Sequence, residues 1–116
     1  MFVAYTIIAV LLAAALLASA STKLTRRESV VKTFTELGVP AGMYPFLAAC
    51  EIAGAAGLLV GLWYGPLGIA AAAGLAAYFV GAIGAHLRKG DIKGTLSPLV
   101  ILITALAAMV LRIASL

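Results

Sequence analysis

From Phe2 to about Ser21 the chain carries no charged side chain. A helix of about 20 residues rises about 30 Å, the thickness of a bilayer's hydrocarbon core. Lipid offers no hydrogen-bond partners to a bare backbone, so such a run must satisfy itself as a helix. Three further apolar runs follow, over about 41–63, 67–87 and 97–113. Residues 1–116 therefore read as a single transmembrane domain. The expected fold is all-α: a polytopic membrane protein built as a four-transmembrane-helix antiparallel bundle. Ala18-Ser19-Ala20 imitates a signal-peptide cleavage site. No Lys or Arg precedes the run, however, and it is long for a signal h-region, so it reads as a span. The balance of residues agrees: 65% are apolar and 10% charged, where a soluble domain carries about a quarter charged.

The few charges are sorted by loop. Lys23, Arg26, Arg27 and Lys32 follow the first span, and Arg88, Lys89 and Lys93 follow the third. The turn Tyr64-Gly65-Pro66 has none. The positive-inside rule then predicts a multi-pass protein of the cell (inner or plasma) membrane with basic loops in the cytoplasm and both termini outside. The net charge of +4 belongs to these loops and to lipid headgroups, with no aromatic interleaving to suggest nucleic acid. Thr25 and Glu28 have capping-box spacing, and Val30, Val31, Phe34 and Leu37 recur at helical spacing. Residues 26–37 thus read as a short amphipathic interfacial helix, ended by Gly38 and Pro40. Ser97-Pro98 reads as the cap and first position of the last span, and Arg112 near its end as a snorkelling cation. The Ala- and Gly-rich composition fits a GC-rich bacterial source.

Glu51 is the only acid inside an apolar run. An ionisable group at such depth costs a few kcal/mol or more and normally faces the protein interior. Counting from the basic loops, Tyr78 lies level with Glu51, while His86 and Lys23 lie nearer the interface. These four residues are the candidate polar site. The expected state is a protonated Glu51 hydrogen-bonded to Tyr78 or to a backbone carbonyl; were it ionised, Lys23 reaching inward is the first candidate partner. His86 is expected near Tyr44, Pro45 and the end of span one. Two rows of small residues, Ala53, Gly57, Gly61 and Ala77, Gly81, Ala85, are expected to pack spans two and three together. Cys50, the one cysteine, reads as a small apolar filler, and alone it excludes a dithiol mechanism. One histidine and one midspan acid make no metal site, and no catalytic motif or phosphate loop is visible.

Ser21-Thr22-Lys23-Leu24 closing the first span, Gly38-Val39-Pro40 before the second, Glu51 followed by Gly54, and Gly84-Ala85-His86-Leu87-Arg88-Lys89-Gly90-Asp91 closing the third resemble the DoxX-like family. The likeness covers nearly the whole chain. It implies a small four-helix membrane protein, in a family named for a subunit of a thiosulfate:quinone oxidoreductase. Other members look like accessory subunits or assembly factors of membrane or redox complexes. The family's polar positions match Lys23, Glu51 and His86. A family likeness is an analogy and does not supply an activity.

Three functions compete. Small size and short loops favour a non-catalytic accessory subunit or assembly factor, with the bilayer and other membrane subunits as partners. Glu51 alone would suit a proton-coupled transporter of a small solute; small multidrug transporters place their glutamate in the first span, however, which here has no charge. Glu51, Tyr78 and His86 would also suit a quinone- or lipid-binding subunit of a membrane oxidoreductase, whose electrons a partner would carry. No cofactor is otherwise evident.

Overall fold

A computed structural model describes all 116 residues and contains no strand. Helix α1 spans Phe2–Leu24, α2 Glu28–Leu37, α3 Tyr44–Val60, α4 Gly65–Arg88 and α5 Leu96–Ala114. Short 3-10 turns, Ala41–Met43 and Lys93–Thr95, lead into α3 and α5. With those turns included, four helices are long and apolar enough to cross a membrane. The molecule measures 42 × 26 × 17 Å, and its long axis matches a bilayer of about 40–45 Å with headgroups.

The four long helices run up and down in a closed ring: α1 packs on α3, α3 on α4, α4 on α5, and α5 returns to α1. Both chain ends and the α3–α4 turn lie at one end, the basic loops at the other. In lipid, helix association is driven by close packing more than by water exclusion. The core accordingly mixes Tyr5, Leu12, Leu16, Leu58, Leu75 and Phe79 with alanines such as Ala9, Ala13, Ala72, Ala105 and Ala108. Large apolar side chains outside it, among them Leu11, Val80, Ile103 and Val110, are exposed on the spans, where lipid would meet them.

Spans two and three do touch through small residues, but in a different register from the one expected. A Cβ built on Gly57 would lie 2.7 Å from Cβ of Ala71, and one on Gly61 would strike the Gly68 backbone. Gly54 faces Leu75. Antiparallel helices joined by a short turn pair residues whose numbers have a nearly constant sum. Gly57 and Gly61 therefore meet the first half of α4, and the second half lies beside the start of α3. Ala77 and Gly81 are exposed, Ala85 is half-buried, and Ala53 is exposed on α3. A Cβ on Gly81 would meet nothing within 4 Å.

The loops also depart from expectation. The capping box does not form: Thr25 Oγ1 donates to the Ser21 carbonyl, and α2 starts at Glu28 without a side-chain cap. The first helix instead runs on to Leu24 and closes in a Schellman turn. Arg26 NH donates to the Lys23 carbonyl and Arg27 NH to the Thr22 carbonyl, with Arg26 at φ 51°. This is the left-handed position that glycine usually fills. At the ends of α2 and α4 glycine does fill it, as Gly38 and Gly90. The last span begins at Leu96 after its 3-10 turn, so Ser97 is not its cap. Helix α2 lies across the basic end, burying Leu37 and packing the Phe34 ring against Tyr44, with centroids 5.1 Å apart and planes tilted by 55°.

Candidate functional site at the basic end

The site is assembled by helix direction. In an α-helix each Cβ leans toward the helix N-terminus. Lys23 stands in the last turn of α1, so its side chain starts back into the bundle rather than outward. Glu51 stands two turns into α3, which begins at the basic end, so its side chain leans toward that end. The two directions converge. Lys23 Nζ lies 2.6 Å from Glu51 Oε1 and donates to Ser19 Oγ, one turn back on α1, at 2.7 Å. It also sits 5.6 Å from the centre of the Phe34 ring.

Glu51 is fully buried and Lys23 nearly so. The Nζ–Oε1 contact is short, yet it is not aligned as a hydrogen bond, and Oε2 has no protein donor at all. Buried charge is retained at such a cost only when paired. The hydrogen bond expected from Tyr78 to Glu51 is not made. Tyr78 lies within electrostatic reach of Glu51. Its ring packs edge-on against Phe79 at 4.9 Å, and the fold makes no use of its hydroxyl.

His86 closes the site from α4. Its Nδ1 lies 3.0 Å from Asp91 Oδ2, and Gly94 NH donates to Asp91 Oδ1 at 3.0 Å. The His86 hydrogen bond, helped by that amide, holds the Asp91 carboxyl below its ordinary value. Asp91 was missed as a site residue in the sequence. The signal is local: Gly90 turns the chain back so that Asp91 NH reaches the His86 carbonyl at 2.9 Å, bringing the aspartate beside the histidine five residues earlier.

Lys23, Tyr78 and His86 line a cavity of about 370 Å³ walled by α1, α2, α4 and α5, with Leu47 of α3. Ser19, Lys23, Tyr78, His86 and Ser97 supply its polar groups; Phe34, Leu37, Phe79 and Ile101 are among the apolar ones. Glu51 stands behind Lys23 and does not line it. Three of the four sequence-predicted residues thus share one cavity, and the fourth is held by one of them. No cluster of His, Cys, Asp and Glu is arranged to hold a metal ion.

A second polar cluster lies at the opposite end and was not foreseen. Arg112 does not snorkel. It is 7% exposed, its Nε donates to the Gly61 carbonyl at 2.8 Å, and its Nη1 donates to Ser115 Oγ at 2.8 Å. Like Lys23 it stands in the last turn of its helix and leans inward. It lies over the rings of Phe2 and Tyr5 at 5.3 and 5.6 Å. Tyr5 in turn donates to the Leu58 carbonyl at 2.7 Å. Both bonds satisfy carbonyls in the last turn of α3 that the helix leaves open, where a cation is also favoured.

The model of the DoxX-like family fits residues 7–108. No curated protein and no solved structure matches the chain.

Proposed function

This chain belongs to the DoxX-like family of small membrane proteins, and from that premise we propose that it is a non-catalytic membrane subunit that holds a small amphiphilic molecule, a quinone or a lipid, by its polar head. One observation carries this reading: the cavity at the basic end. Ligand sites are typically about 300–1,000 Å³, mostly apolar, with a few convergent polar groups. The cavity of about 370 Å³ has that make-up. Lys23 and the Tyr78 hydroxyl offer donors to a carbonyl or ether oxygen, and Tyr78 has no hydrogen-bonding duty in the fold. The lining is mostly apolar with these few donors, and the cavity is read as a holding site. A proton-coupled transporter using Glu51 gains no support from the geometry, because Lys23 covers that carboxylate on the cavity side.

Added quinone or phosphatidylglycerol should raise the thermal midpoint of the purified protein, as any ligand of the folded state does. Tyr78→Phe should keep the midpoint of the free protein and weaken that response. If neither compound stabilises the wild type, the holding-site reading is wrong. In the same reading both termini face outward and the basic loops face the cytoplasm, supported by Lys23, Arg26, Arg27 and Arg88, Lys89, Lys93 at one end. Single cysteines placed in each loop of a Cys50→Ala protein test it: labelling near Lys89 but not near Gly65 in intact cells would reverse the orientation.

A further inference from the structure

The bundle has a second concavity. A groove of about 690 Å³ runs between α3 and α4 on the bilayer face, from Leu67 near the chain-terminus end to Tyr78. Its walls are small: Gly57, Ala70, Ala71, Gly74 and Ala77 line it. Of these Ala70, Gly74 and Ala77 are exposed, and a Cβ on Gly74 would meet nothing within 4 Å. The groove is therefore open laterally, toward lipid. Tyr78 lines it, and Tyr78 also lines the polar cavity. It is the one residue common to the two linings.

We infer that the groove holds the hydrocarbon chain of the molecule whose head occupies the cavity, so that the ligand is a neutral, single-chain amphiphile with hydrogen-bond acceptors in its head and enters from the bilayer past Tyr78. This rests on the holding-site reading above and adds the ligand's charge, its chain and its route. Charge follows from the pairing of the walls. Lys23 is matched by Glu51 and His86 by Asp91, so no surplus cation is left to offset an anionic head at the depth of Tyr78. Buried charge without a partner is strongly disfavoured. The chain follows from continuity: a head beside Tyr78 has the apolar groove as the other concavity that residue lines. A single groove accommodates a single chain.

Binding of decylubiquinone and of the tail-less dimethoxy-methyl-benzoquinone to the detergent-solubilised full chain tests this, read by thermal-shift titration and native mass spectrometry. Partition into detergent raises the apparent affinity of any chain-bearing probe. The informative quantity is therefore the ratio of variant to wild type for each probe, in which partition cancels. Gly74→Leu puts a side chain into the groove from a position whose Cβ meets nothing within 4 Å, and should weaken decylubiquinone about ten-fold, or about 1.4 kcal/mol, as overpacking of a fitted site does. It should leave the tail-less quinone unchanged. Ala70→Leu, also exposed in the groove, should repeat the effect. Gly84→Leu is equally exposed, lies outside both concavities and should alter neither probe.

Equal behaviour of both probes toward Gly74→Leu and Ala70→Leu would overturn the inference and leave the head site standing. A wild type that binds neither probe removes the holding-site reading itself. Retention of phosphatidylglycerol in place of decylubiquinone refutes the neutral single-chain class. A change of oligomeric mass in Gly74→Leu, with unchanged quinone binding, would mean that the groove seats a helix of another copy, and the inference fails.

Discussion

The two ends of the bundle use the same device for different purposes. At each end a cation in the last turn of a helix leans inward and meets α3. Arg112 of α5 meets the Gly61 carbonyl; Lys23 of α1 meets the Glu51 carboxylate. Around Arg112 the structure is closed. Gly61 lies against the Gly68 backbone, Gly65 against Leu116 and Arg112, and the Tyr5 hydroxyl is bonded. Around Lys23 it is open, with a cavity beside the cation, a carboxylate oxygen without a donor and a tyrosine hydroxyl without a role. A satisfied and tightly packed polar cluster reads as structural, whereas one that leaves space and unused hydrogen-bonding capacity reads as a site.

The sharpest test of that contrast is to strand one charge. Lys23→Ala should destabilise by about 3–5 kcal/mol, the usual cost of leaving a buried partner unpaired, and should accumulate poorly. Lys23→Met combined with Glu51→Gln should recover most of the loss, because it removes both charges. A double-mutant cycle read by thermal denaturation separates the two, and additive losses would show that the pair is not coupled. At the closed end, Arg112→Ala strands no acid. Its expected cost is smaller, about 1.5–3 kcal/mol for a hydrogen bond from a charged donor, and no second substitution should rescue it.

Packing gives the next effect. Gly57→Leu should destabilise by about 1–3 kcal/mol through overpacking against Ala71. Gly81→Leu, which meets nothing within 4 Å, should leave thermal stability unchanged. Equal loss in both would mean that the closed and open halves of α4 are packed alike.

The smallest effect is at Asp91. Its carboxyl is held below its ordinary value of 3.8 by His86 and the Gly94 amide. A lowered acid contributes order that is complete above the unfolded value and disappears as pH falls through the lower folded one. Protection of the Gly94 amide, its exchange rate compared with the intrinsic rate at each pH, should therefore be complete at neutral pH and be lost only below 3.8. Asp91→Asn should flatten that profile without changing global stability.

The spans were legible because lipid imposes a length and a composition that no other arrangement meets. The site was half legible. Depth counted along the backbone placed Tyr78 level with Glu51, and rarity singled out Glu51 itself. The same count treated side chains as if they pointed straight out from the helix. Lys23 and Arg112 were thus read as nearer the interface than their atoms are, and the backward lean of helical side chains brings both inward. The expected row Ala77, Gly81, Ala85 failed for another reason. Small residues repeat on several faces of an alanine-rich helix, and periodicity alone does not say which face meets the partner. The tight turn at Gly65 decides that, by fixing the antiparallel register. Asp91 was hidden because its role depends on one left-handed glycine, which spacing does not reveal.

The position of the ion pair in the order of synthesis has a consequence for how the chain enters the bilayer. Lys23 and Glu51 stand on α1 and α3, which are made before α4 and α5. The second span has the lowest hydropathy of the four, 1.6 against 2.4 for the first, and an acid at its centre is the kind of residue that insertion machinery resists. With Lys23 already in place on α1, the glutamate meets its counter-charge as soon as the hairpin forms, before the third and fourth spans are made. A nascent chain ending just after Tyr64 should therefore insert its second span efficiently in a glycosylation-mapping assay. Lys23→Met should lower that efficiency, and Glu51→Gln should restore it. The pair would then act first as a chaperone of the hairpin, built into the sequence, and only afterwards as a wall of the cavity.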